Sequence, residues 1–292
     1  MSHTTVLKNE TLAALALKPG AIVFEGTGGE GGLSESIALE IGRGGVLIVA
    51  DLDSDLLNRI RERLSAVPCK VEYVNDNFRN IRQILVDLAV TALDAIIVDL
   101  GLCSWQIEES GRGFSFDEDE PLLMTFASSV TEGDLTALQV VNNWSEENLA
   151  DIIYGFGGER NSRKIAKAIV AYRPIQSSRQ LADVINSVSP RKGKINPATK
   201  TFQAIRMATN DEVGALKQLL VDGWESLVPG GKLVTISFHE VEDRLVKRFM
   251  AAKSAEGKAE LMSKKPVTPS LVEVKSNPRS RSAKLRVAQK II

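Results

Sequence analysis

A short apolar run that breaks into a glycine-rich elbow constrains this chain more than any other feature. Residues 20–34 read Gly-Ala-Ile-Val-Phe-Glu-Gly-Thr-Gly-Gly-Glu-Gly-Gly-Leu-Ser. Residues 21–24 read as a buried strand that ends in one acid, Glu25. Glycines follow at 26, 28, 29, 31 and 32, and then a helix over residues 34–41. Glycine lets the backbone take positive φ and approach a ligand with no Cβ in the way. Strand, elbow and helix in that order point to a nucleotide-type cofactor at the carboxyl edge of a parallel sheet. Two cofactors fit the letters. Gly26-Thr-Gly-Gly-Glu-Gly31 satisfies the dinucleotide fingerprint G-x-G-x-x-G, and Asp51 stands twenty residues beyond Gly31, where a ribose-binding acid belongs. The same stretch suits S-adenosylmethionine (SAM).

The first hundred residues continue the alternation. Residues 46–51, 71–74 and 95–100 read as further strands, with helices at 55–64 and 81–89 between them. Apolar strands separated by helices imply a mostly parallel sheet covered on both faces. From about Ser104 the pattern turns helical, with no strong strand until Leu233. Ser145, Ser162 and Ser178 read as N-caps, Pro190 as a helix stop, and Asn196-Pro197 as the start of another helix. Helix 216–227, a turn at Pro229-Gly-Gly231 and strand 232–238 then restore the first pattern. Residues 251–270 read as a polar excursion, and 271–275 with 284–289 as a closing antiparallel pair. The expected fold is α/β and Rossmann-like, with a discontinuous domain (1–107 and 207–292) interrupted by a helical one (108–206).

Composition narrows the classes. The 292 residues are 43% hydrophobic and 25% charged, as in ordinary globular proteins. No apolar run is long enough for a bilayer, and the start of the chain lacks a signal-peptide core. Two cysteines, Cys69 and Cys103, and two histidines, His3 and His239, make a disulfide framework or a zinc cluster implausible, so no metal is expected. A cytoplasmic protein follows. The net charge of -1 conceals an asymmetry. Residues 157–206 hold eleven Lys/Arg against Glu159 and Asp183, and residues 244–292 hold thirteen against Glu256, Glu260 and Glu273. Such segments on an acidic body suit a polyanionic partner or, more plainly, solvated helix faces.

Three acids fall at the ends of expected strands: Glu25, Asp51 and Asp99. Asp51 suits either cofactor through ribose hydroxyls. Glu25 is unnatural beside a pyrophosphate, whereas the sulfonium and ammonium of SAM are cationic. Asp99 opens the segment Asp99-Leu-Gly-Leu-Cys-Ser-Trp-Gln106, where it can accept a hydrogen bond from an acceptor amine. Cys103 admits a nucleophile reading, but nothing nearby in the sequence activates it. His239 follows the fifth strand and is a weak candidate for the same crevice.

Several segments together resemble the bacterial methyltransferases that modify N4 of a cytidine in the decoding region of 16S rRNA, the RsmH or MraW family. They are His3-Thr-Thr-Val-Leu, Glu25-Gly-Thr-Gly-Gly-Glu-Gly-Gly-Leu-Ser34, Asp51-Leu-Asp53, Asp99-Leu-Gly-Leu-Cys-Ser-Trp-Gln106 and Arg112-Gly-Phe-Ser-Phe116. Further along come Gly158-Glu-Arg160, Arg163-Lys-Ile-Ala-Lys-Ala-Ile169 and Asn196-Pro-Ala-Thr-Lys-Thr-Phe-Gln-Ala-Ile-Arg206. Ser237-Phe-His-Glu-Val-Glu-Asp-Arg-Leu-Val-Lys247 and Asn277-Pro-Arg-Ser-Arg-Ser-Ala-Lys-Leu-Arg286 complete a set that spans nearly the whole chain. The resemblance implies a class I SAM-dependent methyltransferase domain with a helical insertion that recognises rRNA. It implies SAM contacts from Gly31, Gly32, Leu33, Asp51, Phe78, Asp99 and Gln106, with Phe78 against the adenine. It also implies 16S rRNA or the small ribosomal subunit as partner. From their positions, Asp99 is the expected catalytic residue, with a contribution from His239. The oligomeric state stays open, a homodimer included.

This chain also departs from the family pattern. Leu33 stands where histidine is usual and Glu25 where aspartate is usual. Glu120-Pro-Leu-Leu-Met-Thr-Phe-Ala127 lacks two acids and an arginine, with Leu123, Thr125 and Ala127 in their places. Cys103-Ser104 replaces a serine pair. Two other classes stay open in the sequence: a non-catalytic RNA-binding or ribosome-assembly protein, motivated by the lost acids, and a nucleotide-dependent oxidoreductase, motivated by the literal G-x-G-x-x-G.

Overall fold

The computed structural model describes residues 5–189 and 196–292. His3 and Thr4 of the first matching segment, and the helix stop expected at Pro190, lie outside the described residues. The chain divides into two units, one holding residues up to 101 together with 213–292, the other residues 102–212. The edges fall at 101/102 and 212/213, against 107/108 and 206/207 in the sequence reading.

The first unit is organised by a sheet with seven strands among the described residues. They are β1 (Ile22–Glu25), β2 (Val46–Ala50), β3 (Lys70–Val74), β4 (Leu93–Asp99), β5 (Leu227–Ser237), β6 (Ala259–Leu261) and β7 (Lys284–Lys290). Their order is β3-β2-β1-β4-β5-β7-β6. The strands run parallel from β3 through β5, and β7 lies antiparallel between β5 and β6. The order reverses direction between β1 and β4, and in open α/β sheets the carboxyl ends at such a switch point are where ligands bind.

Period-two alternation sorts each strand onto two cores. Val23, Leu47, Val49, Ala95, Ile97, Val234 and Ile236 share one cluster with Ile37, Ile41, Leu57 and Ile60 from the helices Gly32–Ile41 and Ser54–Arg63. Phe24, Ile48, Ala50, Ile96, Val98 and Leu233 share the other with Ile84, Leu219, Trp224 and Val246. Burial on both faces is why these strands read as continuous apolar runs.

The second unit packs helices Ala137–Asn143, Glu146–Gly155, Ser162–Ala171, Ser178–Val188 and Ala198–Thr209 around one core. Val140, Leu149, Ile153, Ile165, Ile169, Leu181, Ile185, Phe202 and Ile205 fill it. Thr136, Ser145 and Ser177 cap their helices by accepting the N–H of Gln139, Asn148 and Gln180.

Four local readings change. Residues 271–275 form a helix, Leu271–Ser276, rather than a strand. Ser270 accepts the Glu273 N–H at 3.1 Å, a cap that outweighs the apolar-polar alternation, and Leu271 and Val272 stay exposed with no sheet face to cover them. The antiparallel partner of β7 is instead the three-residue β6, too short for a period to register. Ser162 and Ser178 are first helical residues, with Asn161 and Ser177 at the N-cap positions. Pro229-Gly-Gly231 lies within β5 as an irregularity where the register against β4 jumps from Leu227 opposite Leu93 to Lys232 opposite Ala95.

Phe24 is fully buried in the second cluster, directly beside the elbow. Phe24→Ala removes that packing and is expected to destabilise the protein by about 3–5 kcal/mol. A urea midpoint unchanged from wild type would contradict this account of the core.

Candidate active site

Strand register brings the three acids together. Glu25, the last residue of β1, pairs with Val49 of β2 on one side and with Ile97 of β4 on the other. Asp51 lies two residues beyond Val49 and Asp99 two beyond Ile97. Positions 25, 51 and 99 therefore share the parity of Val23, Val49 and Ile97, and all three project from the same side of the sheet at its carboxyl edge.

The elbow is held close by contacts that exclude side chains. A Cβ on Gly28 would stand 2.5 Å from Ile60 Cδ1 and 2.8 Å from Val49 Cγ1. Gly31 takes φ 77° and caps the helix Gly32–Ile41. Arg63 clamps the outside of the loop, donating to the Glu30 carbonyl at 3.1 Å and to Glu35 Oε2 at 2.8 and 3.0 Å. Thr27 Oγ1 accepts the Asp99 N–H at 2.7 Å, so the loop after β1 is tied to the end of β4. Asp51 Oδ2 accepts the Gly29 N–H at 3.1 Å, and its Oδ1 accepts the Asp53 N–H at 2.9 Å. That leaves part of its acceptor capacity for a ligand. Phe78 borders the same loop, its Cβ 2.9 Å from where a Cβ on Gly26 would lie.

The electrostatics are unusual. Glu25 is 1% exposed. Burial raises its carboxyl to about 8, with further upward pressure from Asp99 and Asp51 and partial relief from Ser34. Burial lifts Asp99 to about 7, and the charge of Glu242 adds to the rise. Asp51 rises to about 6 through burial, opposed by the backbone donors of Asp53, Gly29 and Gly28. Glu25 Oε2 and Asp99 Oδ1 are screened from water and have no hydrogen-bond partner among the described residues. Buried polar atoms are ordinarily paired, so two orphaned acid oxygens in one crevice call for a ligand. A cationic group with donor hydrogens meets that demand, whereas a pyrophosphate would meet like charge.

The other candidates are placed differently. Leu33 is 5% exposed and its side chain joins the core cluster under the elbow, which leaves only its backbone to face a ligand. Gln106, in the second unit, is buried, and its Oε1 accepts the Cys103 N–H at 3.1 Å. Cys103 caps the short helix Ser104–Glu108. His239 caps the helix Glu240–Ala255, with Nε2 3.1 Å from Glu242 Oε1. Sequence reasoning did not single out Glu242 or Thr27. Glu242 is 3% exposed and accepts the Phe238 N–H at 3.3 Å. Its signal was available in the spacing of three from His239 within an acid-rich first turn.

In the segment 120–127 the main chain carries the contacts. Arg112, 5% exposed, donates from Nη1 to the carbonyls of Thr125, Phe126 and Ala127 at 3.0, 2.7 and 3.0 Å. Those bonds do not depend on which side chains occupy 125 and 127.

Glu25 holds its proton to about pH 8 in the folded protein, against 4.5 as its ordinary value. Folding therefore takes up a proton between those limits, and stability falls as pH rises through that window. Glu25→Gln mimics the neutral acid at every pH. Its melting temperature is expected above wild type at about pH 8.5, with the gain shrinking towards about pH 5. An equal gain at both values would refute the buried-charge account.

Comparison with known proteins agrees with this architecture. A putative rRNA-methylase from Clostridium thermocellum superposes with a TM-score of 0.50 at 12% identity, covering 100% of both chains. The fold is that of the class I methyltransferases. Ribosomal RNA small subunit methyltransferase H from Koribacter versatilis is 45% identical over 299 residues, covering 98% of this chain and 93% of that one. The protein of the same name from Brevibacillus brevis is 38% identical, covering 99% and 98%. The MraW methylase family matches residues 1–291, and the chain belongs to that family.

Proposed function

We propose that the protein transfers a methyl group from SAM to the exocyclic N4 of a cytidine in the decoding region of 16S rRNA. The observation that carries this reading is the cluster of three buried acids at the carboxyl edge of the sheet, two of which keep a carboxyl oxygen with no hydrogen-bond partner among the described residues. Bound SAM supplies an electrophilic methyl on a sulfonium. The glycine elbow, with Gly31, Gly32 and the Leu33 backbone, would let the cofactor approach the main chain. Asp51 would accept from the ribose hydroxyls, and Phe78 would offer its ring to the adenine. Gln106 completes the set of cofactor contacts that the family resemblance implies. Glu25 would offset the cationic part of the cofactor.

Asp99 has the chemistry for the acceptor. The amine of cytosine is a weak nucleophile because its lone pair is delocalised into the ring. A carboxylate that accepts one amine hydrogen bond aligns the nitrogen and favours its pyramidal form, and positioning supplies much of the rate. The cytosine must leave its stack to enter the crevice. This route uses no thiolate adduct, which fits Cys103 in a capping role. The relatives named as methyltransferases over nearly their full length argue against a binding-only protein. Glu25 in the crevice argues against a dinucleotide.

A cationic cofactor stabilises ionised carboxyls, so SAM binding near pH 7 is expected to release protons from Glu25 and Asp99. Calorimetry in phosphate and in Tris should then give different apparent enthalpies. Identical enthalpies would remove the proposed contacts. For the reaction, Asp99→Ala should abolish methylation while Cys103→Ser keeps most of it. The direct test uses labelled SAM and small ribosomal subunits from a strain lacking this modification, followed by mass spectrometry of the digested rRNA. N4-methylcytidine is the expected product, and rRNA without label would reject the reading.

A further inference from the structure

The helix Ser162–Ala171 carries charge that its own folding does not use. Ile165, Ala166, Ala168 and Ile169 are buried, and the helix packs against Glu146–Gly155 and Ser178–Val188. Arg163, Lys164 and Lys167 are exposed. At about 100° per residue they fall within an arc of about 100° on the outer face. Arg160, just before the helix, is also exposed.

Two observations separate these four from the other described cations of the unit. First, those others are engaged. Arg112 holds three carbonyls, Arg173 donates to the carbonyls of Val141 and Trp144, and Lys200 donates to that of Gly158. Arg179 binds the Asp117 carbonyl, and Arg206 pairs with Glu212 at 2.7 Å. Arg160, Arg163, Lys164 and Lys167 make no ion pair or hydrogen bond through their side chains among the described residues. Even the nearest acid in sequence, Glu159, is turned to its own backbone, accepting the Asn161 N–H at 2.8 Å.

Second, Arg163 and Lys164 sit in the first turn, which holds no acid. The helix dipole is positive there and disfavours cations. A helix selected for stability alone would place acids at those positions. The neighbouring Glu146–Gly155 does so with Glu146 and Glu147.

We propose that Arg160, Arg163, Lys164 and Lys167 form a phosphate-binding strip that grips the sugar-phosphate backbone of the RNA substrate. The inference rests on the rRNA reading above and deepens it. Three cations on a helix buttressed from both sides, with a fourth just before it, make a rack that holds the RNA without reading its sequence.

The test is equilibrium binding of the full-length protein to protein-free 16S rRNA and to intact small subunits, across a salt series. Arg163→Gln/Lys164→Gln/Lys167→Gln should weaken binding to both and lower the salt slope by about 2, at roughly 0.7 for each phosphate no longer neutralised. SAM affinity should not change. The charge-conserving triple Arg163→Lys/Lys164→Arg/Lys167→Arg should bind as wild type, which separates lost charge from lost fold. A control that removes three exposed charges elsewhere, Arg43→Gln/Arg82→Gln/Lys217→Gln, should keep the slope. An unchanged slope in the first triple, or an equal loss in the control, would overturn the strip. Weaker binding to intact subunits alone would assign it to a ribosomal protein and overturn the RNA proposal. Because binding is read without catalysis, failure of wild type to methylate rRNA would count against the reaction and not against the strip.

Discussion

Three buried acids gathered at one edge of the sheet govern the first unit. Glu25, Asp51 and Asp99 are forced together by sheet register, and desolvation drives all three carboxyls upward. Ionising acids so placed is unfavourable, and the upward shifts mean that they hold protons more readily than free carboxyls do. The surrounding structure holds them in place. Arg63 clamps the elbow, Thr27 ties the loop to β4, and Asp51 is fixed by two backbone donors. Rigidity lets the acids keep their positions without relaxing apart, which is the condition for electrostatic preorganisation.

Much of the sheet was legible because its strands are apolar and its helices periodic. The strands ending in Glu25 and Asp99 and the helix beginning near Asp53 appear close to their expected positions. The glycine elbow was legible for a steric reason, since several of its positions leave no room for a Cβ. The segment 271–276 was misread because Leu-Val-Glu-Val-Lys carries a strand-like alternation, while the deciding contact is a single serine cap. Strand β6 was invisible because three residues carry no period. For the crevice, sequence spacing pointed to the acids but not to their energetics. The influence of Glu242 on Asp99 depends on how the helix after β5 packs, a tertiary fact with no local signal.

The departures from the family pattern look different in three dimensions. Leu33 contributes its side chain to the core beneath the elbow. In the segment 120–127, Arg112 binds carbonyls, which every residue supplies. Those contacts are therefore insensitive to which side chains the segment carries.

The pairing of Asp99 with Ile236 has a consequence for how the protein is made. Strands β1 to β4 are contiguous in the chain, but β5 emerges only after the whole of residues 102–212. On a ribosome the early half-sheet must wait with one edge of β4 open while the helical unit is synthesised. Local helix contacts form quickly, and long loops close slowly. The helical unit is thus placed to fold first, as a compact loop between the two strands it separates.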